Sequence, residues 1–191
     1  MVKMGKKLSE MTLEELWRLF PVYLTPHNAL WKNYYNETAE YLGEKLKDIK
    51  AVRISHIGST AIAGIWAKPI VDILVEIKEE KDFSVAERII ETGGFNKMSA
   101  TGNRISFNKG YTEKGFEEKV YHLHLRRNGD NDELYFRDYL IENADIAKEY
   151  ERLKLDLWRK FEFNRDGYTL AKSEFIKRYT VEAKLIYKDR Y

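Results

Sequence analysis

The segment Pro69-Ile-Val-Asp-Ile-Leu-Val-Glu76 constrains the fold more than any other stretch of the chain. From Ile70 to Val75 it is apolar at every position but Asp72, the pattern of a strand covered on both faces, and Pro69 stands at its start, where a missing N–H costs no ladder bond. Such a strand needs helices packed on a sheet. Helices are available on the N-terminal side. Thr12-Leu-Glu-Glu15 has the form of a capping box and predicts a short helix Leu13–Phe20 that Pro21 ends. Trp31, Tyr35, Thr38, Leu42, Leu46 and Ile49 recur at helical spacing and predict a long amphipathic helix from about Asn28 to Lys47. Ser84-Val-Ala-Glu87 reads as a second capping box, opening a helix that Gly93-Gly94 closes with a left-handed residue.

Further strands are predicted at Val52–Ile57, Ile70–Ile77, Ile105–Asn108 and Glu118–Arg126. The last two alternate polar and apolar residues around a Gly110–Gly115 turn region, as in an antiparallel hairpin with one wet face, so the sheet is expected to be mixed. From Asp132 the pattern becomes helical, over Glu133–Glu142, Ile146–Phe163 and Leu170–Lys188, broken at Asn143 and at an Asp166-Gly167 turn. No linker rich in Pro, Gly or Ser divides the chain. The expected architecture is one α+β domain over residues 1–191: N-terminal helices (1–50), a mixed sheet core (51–131) and a helical C-terminal third (132–191).

Composition removes several functions. Charged residues make up 34% of the chain but nearly cancel to +2, so no global field draws it to nucleic acid or an anionic membrane. Cysteine is absent, which excludes disulfides, thiolate catalysis and cysteine-based zinc sites. The basic segment Met1–Lys7 is followed by polar and acidic residues, and no apolar run approaches the roughly 20 residues of a membrane span, so a cytoplasmic protein without membrane contact is expected.

Chemistry concentrates around Asp72. A carboxylate inside a buried strand must be paired or bind a cation. Two partners are open: a neutralising Lys68 or arginine, and a magnesium ion, which takes one or two oxygen ligands from protein and the rest from phosphates and water. Alternation puts Asp72, Leu74 and Glu76 on one face of the strand. Upstream, Gly58 permits close backbone approach, Ser59 and Thr60 supply hydroxyls, and the amides that follow could meet a phosphate. His122 and His124, two apart on a strand, share a face and suit a transition metal, a phosphate or proton transfer near neutral pH. Lys68, Arg104, Arg126 and Lys172 are candidate anion contacts. Lys177, Arg178 and Lys184, on the same helix as Lys172, read as a solvent face, with nucleic acid the weaker alternative.

Taken together, His56-Ile-Gly-Ser-Thr-Ala, Gly64 and Lys68-Pro-Ile-Val-Asp72-Ile resemble the signature of the GrpB family, also termed UPF0157, within the nucleotidyltransferase superfamily of the DNA polymerase beta type. The likeness extends to Leu13-Glu-Glu-Leu-Trp-Arg-Leu-Phe-Pro21, Trp31, His122-Leu-His124-Leu, Phe136-Arg-Asp-Tyr-Leu140 and Tyr150. It implies a nucleotidyltransferase-like sheet core. It also implies transfer of a nucleoside monophosphate from a nucleoside triphosphate to a small-molecule or protein acceptor. Gly58, Ser59 and Thr60 would face the triphosphate. Asp72 would hold Mg2+ as the first of three carboxylates by which the superfamily carries out two-metal transfer; the second position falls on Leu74, with Glu76 the next same-face carboxylate, and the third, on a neighbouring strand, falls on His122-Leu-His124. His122 and His124 would assist by metal, phosphate or proton contact. Two other readings are a module that binds a nucleotide or phosphorylated ligand without turnover, and a histidine-centred metal-dependent hydrolase using Asp72, His122 and His124.

Overall fold

The computed structural model describes residues 6–49 and 51–191, and only the backbone of Ala51 and Val52. Residues 1–5 of the basic N-terminal segment, and Lys50, lie outside the described residues. Among the described residues, five strands form one mixed sheet: β1 (Ala51–Ile57), β2 (Val71–Ile77), β3 (Asn96–Thr101), β4 (Arg104–Thr112) and β5 (Gly115–Arg127). Their order is β1-β2-β5-β4-β3; β2 and β5 run parallel, and every other neighbouring pair is antiparallel. The apolar run Ile70–Val75 thus runs into the second strand, hydrogen-bonded on both sides.

Among the described residues, seven α-helices surround the sheet: α1 (Leu13–Leu19), α2 (Leu30–Lys45), α3 (Phe83–Thr92), α4 (Asp132–Glu142), α5 (Ala144–Phe161), α6 (Arg165–Ala171) and α7 (Ser173–Tyr187). Alternation along β2 and β5 decides what each face meets. Val71, Ile73, Val75, Leu123 and Leu125 point into a core shared with Trp31 and Leu42 of α2 and Ala86 and Ile90 of α3. Each such side chain removed from water contributes about 1.5–3 kcal/mol. The opposite face carries Asp72, Leu74 and Glu76 beside His122, His124 and Arg126, their partners in register. Leu74 packs there against Ile57 and Leu134 of α4. Helices α4, α5 and α7 form a second core from Phe136, Tyr139, Tyr150 and Tyr179, which roofs one end of that face. No helix among the described residues is long and apolar enough to cross a membrane.

Several local expectations changed. The Thr12 box forms: Thr12 N–H donates to Glu15 at 2.6 Å and Glu15 N–H to the Thr12 hydroxyl at 3.3 Å. The Ser84 box does not. Phe83, buried in the core, starts the helix two residues earlier, with Asp82 as its N-cap, directly after a 3-10 turn at Glu80–Asp82. Gly94, at φ 83°, takes the left-handed position after α3. The hairpin tightens, since β4 continues to Thr112 and β5 restarts at Gly115. Strand β3 is exposed at all six positions and so carries no alternation to detect. The Asp166-Gly167 turn lies inside α6, whose first turn is capped by Asn164 accepting from Gly167 N–H at 2.8 Å.

Candidate functional site

A cavity of about 750 Å³ opens between the wet face of the sheet and helices α4 to α7. Its floor comes from the turn after β1. Gly58 adopts φ 70° and ψ −174°, a backbone region essentially closed to side chains. A Cβ there would also overlap the Asp72 carboxylate, whose Cγ it would approach to 3.0 Å. The pairing of Ile57 with Asp72 brings the two together. Ser59 and Thr60 follow in a short 3-10 turn and line the cavity. Thr60 is buried; it donates to Ile70 O at 3.2 Å and meets His56 Nε2 at 3.0 Å. His56 stacks on Tyr35 at 4.8 Å, and burial holds its pKa down to about 4, so it is a neutral support for the turn.

Asp72 is held by both histidines. His122 Nδ1 lies 3.3 Å and His124 Nε2 3.7 Å from Asp72 Oδ1. The protons can be placed, because an arginine can only donate. Arg165 reaches His122 Nε2 at 2.8 Å, where the Tyr111 hydroxyl also lies at 2.7 Å. His122 therefore carries its proton on Nδ1, toward Asp72, and is neutral; burial lowers its pKa against the pull of Asp72. Arg126 reaches His124 Nδ1 at 3.1 Å, which leaves the Nε2 proton aimed at Asp72. Burial pushes the Asp72 carboxyl up, but the nearby rings of His122 and His124 outweigh it and keep it well below the usual carboxylate range. The result is one ionised carboxylate faced by the N–H groups of two histidines, His122 the nearer, each ring backed by an arginine.

Cations crowd the same end of the cavity. Lys68 precedes β2, Lys154 projects from α5, Arg165 opens α6 and Lys172 joins α6 to α7. Lys68 and Lys172 stand over the ring of Tyr168 at 5.3 and 4.4 Å, and Lys154 stands over Tyr150 at 4.8 Å and donates to Trp66 O. Burial, then the neighbouring Lys172 and Arg165, lowers the pKa of Lys68 to about 7. Burial and Lys172 bring Lys154 to about 7, and burial brings Lys172 to about 8. Asp72 is the one carboxylate among the influences on Lys172. The cluster is short of negative charge.

The structure thus gathers Gly58, Ser59, Thr60, Lys68, Asp72, His122 and Lys172 at one cavity, with His124 directly behind Asp72. It places Glu76, Arg104 and Arg126 elsewhere. Glu76 is fully buried, accepts from Gly129 N–H at 3.1 Å and Asn131 at 2.9 Å, and pairs with Arg53 at 3.2 Å. Arg104 forms an exposed pair with Asp130. Arg126 is spent on Ile105 O, Leu125 O and His124. Lys177, Arg178 and Lys184 of α7 are exposed, as expected of a solvent face, and Lys177 and Lys184 also stand at the rim of the cavity. Sequence reasoning missed Lys154, Arg165, Tyr111 and Tyr168. Lys154 had a signal, since it falls on the buried stripe of α5 with Ala147, Tyr150, Glu151 and Leu157. Arg165 had none.

A mixed sheet with a Gly-Ser turn against a strand aspartate, under a helical roof, is the nucleotidyltransferase fold. The structure of Cid1 poly(U) polymerase with Mg 3'-dATP bound matches it at a TM-score of 0.52 and 11% identity, over 83% of this chain and 51% of that one. A family model described as "GrpB protein" matches residues 21–182. The chain belongs to the GrpB family. The crystal structure of conserved protein GrpB from Enterococcus faecalis is similar at a TM-score of 0.74 and 29% identity, covering 86% of this chain and 99% of that one. The glutamate-rich protein GrpB of Alkalihalophilus pseudofirmus is 36% identical over 166 residues, 81% of this chain and 91% of the relative. UPF0157 protein YqkA of Bacillus subtilis is 30% identical over 96% of this chain, which spans only 54% of that longer protein.

Proposed function

We propose that this chain is a nucleotidyltransferase-like protein that binds a nucleoside triphosphate in the cavity and passes its nucleoside monophosphate to a small-molecule or protein acceptor. One observation carries the reading. The Gly58-Ser59 turn, an ionised Asp72 and four underneutralised cations, Lys68, Lys154, Arg165 and Lys172, face one cavity large enough for a nucleotide. The turn allows phosphate oxygens near its backbone, and the cations supply the charge that a triphosphate and departing pyrophosphate need. Asp72 would hold one Mg2+, whose other ligands would be phosphates and water, and Ser59 would face the triphosphate. When bound, that ion would polarise a phosphoryl oxygen.

Binding without turnover is the second reading, favoured by Leu74, which fills the second acidic position and is fully buried. A histidine-centred hydrolase has less support, because both ring nitrogens of His122 and of His124 already face Asp72, an arginine or Tyr111.

Calorimetry with ATP, GTP, CTP and UTP tests the proposal. The native protein is expected to bind at least one of them more tightly with Mg2+ than with EDTA, and Asp72→Asn to lose that difference while still folding cooperatively. Absence of heat with all four nucleotides would overturn it. Release of pyrophosphate in the presence of cell extract separates transfer from binding alone.

A further inference from the structure

The superfamily resemblance implies carboxylates at three places: Asp72, position 74 and the facing strand. Two of the three are not acidic. Leu74 has no ligating atom and is fully buried against Ile57 and Leu134. On β5 the residue in register with Asp72 is His122, and its Nε2, the nitrogen aimed away from Asp72, faces the Arg165 guanidinium at 2.8 Å. A divalent ion placed there would meet a fixed positive charge. Asp72 itself has one oxygen committed to the two histidines. These residues do not fit a second metal ion.

What they offer instead is organic cation. Arg165 sits over the Tyr111 ring at 5.4 Å with its guanidinium held at His122, and Lys68 and Lys172 flank Tyr168. Lys154 is 2% exposed, and its one hydrogen-bond partner among the described residues is the Trp66 carbonyl. Aromatic faces and a carbonyl position these charges without neutralising them. Four partly or fully buried positive groups, set against Asp72 at their centre and Glu151 beside Lys154, call for a multiply charged anion rather than for more metal.

We infer that Arg165, Lys68, Lys154 and Lys172 form a cradle for the polyphosphate chain of the ligand, taking over the charge of the second metal ion, so that the site grips a polyphosphate without any metal and accepts at most one. The inference rests on the proposed nucleotide site and adds which residues hold the phosphates and in what form. Arg165 contributes fixed charge and two parallel donors; the lysines contribute movable points of charge around it.

The probe is inorganic tripolyphosphate, titrated into the full chain by calorimetry in EDTA and in Mg2+. Binding is expected in EDTA, and Lys172→Gln and Arg165→Gln are each expected to weaken it by about tenfold or more, as for lost charged hydrogen bonds. Thermal melts establish that both variants fold; Lys172, on the cavity wall between two helices, keeps the test usable if Arg165→Gln does not. Manganese titration in the presence of ATP, followed by electron paramagnetic resonance, is expected to count no more than one bound ion per chain. Tripolyphosphate and ATP binding that vanishes in EDTA, or two manganese ions per chain, would overturn the cradle and leave the nucleotide site standing. If neither compound binds under any condition, both fall.

Discussion

Strand β2 carries two carboxylates on one face, four residues apart, and they live in different surroundings. Asp72, at the strand's start, has two neutral histidines on one oxygen and a cavity wall of unneutralised cations around it. Glu76, near its end, is fully buried with a backbone N–H, an asparagine amide and Arg53. Both are desolvated, and the difference is in what completes each one. The loop Asn128–Asn131 and β1 fold over Glu76 and satisfy it from within the chain. At Asp72 the turn is glycine, the helical roof stands off, and the balance is left to something from outside. A charge network closed by the protein reads as structure; one left open in a cavity reads as a site.

The largest effect expected from this contrast is on stability at the closed end. Removing one partner of a buried charge pair costs about 3–5 kcal/mol, because the other charge stays behind without its counterion. Glu76→Ala leaves Arg53 and two donors, Gly129 N–H and Asn131, without their acceptor. For a chain of this size each kcal/mol lowers Tm by roughly 2–4 °C, so a fall of roughly 6–20 °C is expected in a thermal melt. Nucleotide affinity measured well below the melt should be unchanged. A variant that melts normally but binds nucleotide poorly would place Glu76 in the site and remove the distinction between the two ends.

How much of this contrast was legible beforehand follows from the physics of each residue. The buried strand, the shared face of Asp72, Leu74 and Glu76, and the histidine pair come from period-two alternation, which a sequence displays directly. The turn at Gly58 was legible from its small residues, and the mixed character of the sheet, though not its strand order, from the contrast between a strand apolar on both faces and an alternating hairpin. Which of the two carboxylates is enclosed was not, since that depends on Gly129 and Asn131, more than fifty residues further along the chain. Arg165 and Tyr111 meet at His122 only through the packing of α6 against the hairpin. Strand β3 escaped because an edge strand exposed on both faces has no burial to pattern it.

A second, intermediate effect distinguishes the open end by its response to pH. Lys68 and Lys154 have pKa values brought down to about 7 and Lys172 to about 8, mainly by burial, whereas the unfolded chain holds those protons to about pH 10.4. Between those limits the unfolded state binds more protons, so the stability of the free protein should rise as pH is raised from about 7 toward 10. Anion binding has the opposite sign, because the cradle needs charged lysines: tripolyphosphate affinity should fall over pH 7 to 9. Melting curves with and without tripolyphosphate, at constant ionic strength, measure both slopes. Parallel slopes would mean that these lysines do not anchor the anion.

The smallest effect belongs to Arg104, which sequence alone groups with the anion contacts and the structure puts on the outside of the closed end. It pairs with Asp130 across an exposed surface, with 63% of its side chain open to solvent. Pairs of this kind are worth about 0–1 kcal/mol, since water screens them and ordering two long side chains offsets most of the attraction. Arg104→Gln should therefore lower stability by less than about 1 kcal/mol and leave nucleotide and tripolyphosphate affinity within about twofold. The variant is still informative, because Asp130 lies in the loop whose Gly129 and Asn131 hold Glu76. If loosening that loop lowered ligand affinity tenfold, the closed end would be setting the position of β2, and with it of Asp72. The two carboxylates would then be coupled through the strand they share instead of acting as separate structural and binding groups.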